Sequence, residues 1–124
     1  MLKYITALFA AVVFVWPLTA NAHRYFCEMT EFVIIDVDGS SKQDTQRFVM
    51  NVLPNAVSFK SDGYFKNSRA SIDLWRGHEE WSATTTNSLK YTDSIYRFGD
   101  GVLNVSVVFQ KQITSIRAEC KADQ

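Results

Sequence analysis

Leu103, Val105, Val107 and Phe109 alternate with Asn104, Ser106 and Gln110. A period of two is what a β-strand with one buried face shows, because successive side chains point to opposite faces. Val108 interrupts the alternation, standing where a polar residue is due. Leu89–Phe98 and Val102–Gln110 flank Gly99-Asp100-Gly101, and Lys111-Gln112 turns the chain into Ile113–Cys120. The last three runs therefore predict a β-meander.

The same grammar holds upstream. Tyr25–Val37 is a first strand, ended by Asp38-Gly39-Ser40-Ser41. Gln46–Leu53 places Phe48, Met50 and Val52 on one face and Arg47 and Asn51 on the other, although Phe48, Val49, Val52 and Leu53 also suit a helical turn; Pro54-Asn55 stops either element. Ala56–Ser61 alternates Val57 and Phe59 with Ser58 and Lys60, and Asp62-Gly63 before Tyr64-Phe65 predicts a tight hairpin. Ser71–Thr85 reads as one longer strand holding Ile72, Leu74, Trp75 and Trp81, bent at Gly77.

Seven to eight strands and no long helix make an all-β domain. Two architectures leave no bare edges: a small antiparallel β-barrel of the up-and-down, lipocalin-like kind, or a two-sheet β-sandwich. A disulfide joining Cys27 in the first run to Cys120 in the last would suit a barrel whose terminal strands are neighbours, and would also suit a staple between two sheets; the barrel is preferred.

The first 22 residues follow a different pattern. Lys3 precedes the apolar run Ile5–Leu18, which passes through Pro17 into Thr19-Ala20-Asn21-Ala22. Basic start, apolar centre and small-residue exit are the parts of a cleavable signal peptide, and the run is shorter than the ~18 residues a spanning helix needs. Cleavage after Ala22 would leave one β-rich domain, residues 23–124. The first cysteine, Cys27, stands behind His23-Arg24-Tyr25-Phe26 rather than at the cut, so no lipid anchor or other stable membrane anchor is expected. The predicted location is secreted or periplasmic.

Thirteen acidic side chains face thirteen basic ones, of which Lys3 leaves with the leader. Nothing in that balance, and no Lys/Arg cluster, points to nucleic acid. Both cysteines remain after cleavage, near opposite ends of the domain. In an oxidising compartment they predict one disulfide, Cys27–Cys120.

Candidate chemistry is sparse. Asp36-Val37-Asp38-Gly39 opens like a calcium loop, but its glycine is misplaced and Arg47 stands where the bidentate glutamate belongs, so a turn is expected. His78-Glu79-Glu80 is the one place where a histidine adjoins carboxylates. On a strand His78 and Glu80 would share a face, as part of a metal site or an acid/base pair. His23 would begin the mature chain, where its α-amine and imidazole together chelate copper(II); His78 is the other histidine available to complete such a site. Trp75 and Trp81, an even number apart, would face the same way on an unbroken strand, with Tyr or Phe from neighbouring strands. That would make a stacking platform for a sugar ring or peptide, and with His78 and Glu80 a candidate binding surface; otherwise the two join the core. No hydrolase nucleophile motif or phosphate-binding glycine loop is present.

Tyr25-Phe26-Cys27 after the leader, Cys120 in the last strand, and Trp75-Arg76-Gly77-His78-Glu79 in mid-chain resemble the small periplasmic inhibitors of c-type lysozyme in size and architecture, though spacing and strand number differ. The resemblance implies a disulfide-bearing barrel with a protein partner. It places the Ser/Gly-rich inhibitory loop of those proteins at Asn67-Ser68-Arg69-Ala70-Ser71.

The resulting expectation is a non-enzymatic exported domain without a cofactor, binding a small ligand inside the barrel or a protein partner through its loops. Copper binding through His23 and His78 is the alternative, and an enzyme built on His78, Glu79 and Glu80 is the third.

Overall fold

The computed structural model describes residues 22–60, 62–87 and 92–123, so the predicted leader lies outside the described residues except for Ala22. Among them nine strands follow one another: β1 (His23–Asp36), β2 (Gly39–Lys42), β3 (Arg47–Leu53), β4 (Ala56–Lys60), β5 (Arg69–Trp75), β6 (Trp81–Asn87), β7 (Thr92–Gly99), β8 (Val102–Phe109) and β9 (Gln112–Ala122). From β3 to β9 each strand is antiparallel to the next. Along one edge β1 pairs with β9, from Tyr25↔Ala122 to Ile35↔Ile113. Along its other edge it pairs first with β3 and then with β2. Eight strands thus close an antiparallel barrel, with β2 as a ninth, short strand on the β1 edge. Closure answers the choice between barrel and sandwich, because the β1–β9 pairing returns one continuous sheet to its first strand, where a sandwich would divide the strands between two sheets.

Alternation decides what faces inward. Phe48, Met50 and Val52 of β3 are buried, so the helical spacing in that run has no part in the fold. β1 turns in Tyr25, Cys27 and Met29, then Phe32 and Ile34. The switch from odd to even positions is made by a bulge between Met29 and Glu31, without which Phe32 would face water. Trp81, Phe65, Phe98, Met50, Leu103, Ile116, Val52, Val57 and Val105 are all under 2% exposed or close to it and fill the interior. Cys27 and Cys120 sit directly opposite each other on β1 and β9 and form the predicted disulfide.

Two turns depart from the sequence reading. Ser71–Thr85 is two antiparallel strands, β5 and β6, joined by a hairpin loop over 76–80 in which Arg76 N donates to Glu80 O at 3.0 Å and Gly77 has φ +112°. His78, Glu79 and Glu80 are therefore loop residues, and the strand-based pairing of His78 with Glu80 does not apply. Nor is Asp62-Gly63 a two-residue hairpin: β4 and β5 are separated by residues 61–68. This loop carries Phe65 back into the barrel, where its ring lies 4.6 Å from Phe59 and 4.8 Å from Phe48. Burying one more aromatic ring outweighs a shorter connection.

Candidate functional site

Strand direction gives the barrel two unlike rims. One gathers the start of β1, the 76–80 loop, the Asp100-Gly101 turn and the end of β9. β1 parity puts His23 and Tyr25 on the same side of the strand, His23 at the lip and Tyr25 two residues deeper. The 76–80 loop then lays His78 across them. The imidazoles of His23 and His78 stack with centroids 3.7 Å apart and planes 8° from parallel. His78 Nδ1 lies 2.6 Å from the Tyr25 hydroxyl, which also stands 3.2 Å from the His78 carbonyl oxygen, within donating distance.

Tyr25 is buried, with its ring packed edge-on against Phe98 at 5.0 Å. Burial, and then the negative charge of Glu79, push its pKa above the ordinary tyrosine value, so the hydroxyl keeps its proton at neutral pH. Beside the histidines, Tyr25, Glu79, Glu80, Phe98, Asp100 and Gly101 line an open recess. Glu80 stands 3.9 Å from Arg76, and both are exposed.

Among the described residues no three His, Cys, Asp or Glu side chains converge as a metal cluster would. The structure does bring together the two histidines of the chain. A metal here would take two imidazoles and a nitrogen from the main chain. Stacked rings do not point their lone pairs at one ion, so one ring must turn about χ2, a soft torsion in histidine. His23 is exposed and can do so.

Trp75 and Trp81 are cross-strand partners, their shared facing restored by a second bulge between Ile72 and Leu74. They do not form a joint platform, because Trp81 is 1% exposed and packs 5.6 Å from Phe98 inside the barrel, while Trp75 is 37% exposed at the lip. Of Asn67–Ser71, the last three residues are paired with β4 and Ala70 is buried, so the segment does not project as an inhibitory loop. Asp36–Gly39 is a turn closed by Asp38 N donating to Asp36 Oδ1 at 2.9 Å.

Two features escaped the sequence reading. Tyr25 carried a signal, since it lies two residues from His23 in a predicted strand. The other is a row on the outer wall, where Ile35, Ile113 and Val108 are direct neighbours across β1, β9 and β8 and are each more than 40% exposed. Val108, the break in the alternation, was its visible sign.

The bridge belongs to an oxidising compartment. No helix among the described residues is long and apolar enough to cross a membrane. No family model matches the chain, and no curated protein or solved structure matches it.

Proposed function

We propose that this is an exported, non-catalytic binding domain that takes up copper(II) at the histidine-bearing rim, through the α-amine and imidazole of His23, freed by cleavage after Ala22, and the imidazole of His78. The observation that carries the reading is the stacking of the two histidines at 3.7 Å. Amine and imidazole nitrogens favour copper(II), which also heads the divalent affinity series, and an oxidising compartment keeps copper in that state. An interior filled by side chains speaks against a ligand inside the barrel. Glu79 and Glu80 stand exposed on a turn, with Glu80 beside Arg76, which offers a substrate no enclosed site between them.

The test is a competitive copper(II) titration of the secreted protein, its N-terminus read by intact mass. His78→Ala is expected to weaken binding at least about tenfold, the equivalent of about 1.4 kcal/mol. Equal affinity in the two proteins would remove the reading.

A second reading, a protein partner on the barrel wall, is favoured by the Ile35–Ile113–Val108 row, since contiguous exposed apolar side chains mark recognition surfaces. It predicts an envelope protein retained by the wild type and lost by Ile113→Ser. Retention by both would count against it.

A further inference from the structure

We infer that Tyr25 is a positioning residue of this site, fixing Nε2 as the nitrogen that His78 offers to a metal. The inference rests on the copper reading above.

It follows from the hydrogen bonds of one hydroxyl. With Nδ1 only 2.6 Å from the Tyr25 oxygen, no ion can reach that nitrogen, whichever partner supplies the hydrogen. Nε2 remains. For Nε2 to carry a free lone pair the ring must hold its proton on Nδ1, and that N–H then needs an acceptor. The Tyr25 oxygen serves, because its own hydrogen has a second destination in the His78 carbonyl oxygen at 3.2 Å. One hydroxyl thus accepts from the ring and donates to the backbone of the same residue, fixing both tautomer and ring orientation. Ligating histidines are commonly held in this way by a partner on the other nitrogen.

The hydroxyl is itself held in place. Tyr25 is 4% exposed, rests against Phe98 and lies two residues from the Cys27–Cys120 bridge. His23 has no such partner among the hydrogen bonds of the described residues and is exposed, so the site pairs a fixed imidazole with a movable one.

Tyr25→Phe keeps the buried ring and removes only the hydroxyl. In the mature secreted protein it is expected to lower copper(II) affinity about 10- to 100-fold, the usual effect of losing such a partner. A merely structural role would not move the second readout, the electron spin-echo modulation from the remote nitrogen of His78 in the copper-loaded wild type. That nitrogen should report a strongly hydrogen-bonded N–H, and this measurement needs no variant to fold. Wild-type affinity in Tyr25→Phe, or a remote nitrogen with the signature of free solvent contact, would overturn the role of Tyr25 while leaving the copper site standing. Undiminished affinity in His78→Ala would remove the site itself.

Discussion

The two rims of the barrel are closed by different means. At the rim opposite the histidines, the loop over 62–68 drives Phe65 inward among Phe48 and Phe59, and Tyr64 lies edge-on to Phe32 at 5.1 Å. At the histidine rim, Tyr25, Phe98 and Trp81 form the floor, polar and charged side chains stand above it, and the disulfide fastens β1 to β9 just below. One end is plugged by an aromatic ring carried in by a loop, and the other is floored by aromatic rings of the strands above a covalent seam. Because the floor already excludes water from the core, the residues above it are free for chemistry. Stability should therefore reside in the packed interior and its seam, and binding in the side chains that stand above the floor.

The largest effect expected from breaking that arrangement is loss of the seam. The bridge spans a sequence separation of 93. Replacing both cysteines with alanine is expected to cost about 4–5 kcal/mol by chain-entropy reasoning, lowering Tm by more than about 15 °C. A thermal melt within a few degrees of wild type would contradict it.

Next comes the plug. Phe65→Ala should cost about 3–5 kcal/mol, read as a shift of the urea midpoint, since it opens a cavity in a packed end. By contrast His78→Ala, at a half-buried position on an otherwise largely exposed loop, should cost less than about 1 kcal/mol. If the two substitutions destabilised equally, the rims would not differ as described.

A smaller effect, shared by both ends, lies in alkali, where burial raises the pKa of Tyr25 as it does those of Tyr96 and Tyr64. Burial raises the pKa of Tyr96, against a lowering hydrogen bond from Ser94. Burial likewise raises that of Tyr64, against one from Thr114. A raised pKa means that the folded state binds the proton more tightly, so this contribution is fully present below about pH 10 and is lost as pH rises through the folded values. Unfolding followed between pH 9 and 12 should show stability falling, and Tyr96→Phe should flatten the fall. An unchanged slope would show that Tyr96 does not contribute.

Much of the barrel was legible because period-two alternation and turn residues are local signals. Val102–Phe109 and Gln112–Ala122 follow the predicted meander closely. What alternation alone could not place were the bulges at Met29/Glu31 and Ile72/Leu74, because one extra residue leaves no mark in composition. The 76–80 hairpin was hidden for a related reason: Trp75 and Trp81 read as continuous strand, and Gly77 as a bend rather than the start of a turn. His23 and His78 could be named as a pair on coordination chemistry. Their meeting depends on which strands close the barrel, a property of the whole topology. Tyr25 escaped because it read as a strand residue, and only the loop above it gives its hydroxyl a partner.

The central claim, the proposed copper(II) site at His23 and His78, is tested most directly by electron paramagnetic resonance of the chain processed to begin at His23 and loaded with one equivalent of copper(II). Nitrogen hyperfine structure from three donors is expected, with one donor lost in His78→Ala and the pattern changed when an alanine is inserted ahead of His23. The same spectrum from all three proteins would contradict the account.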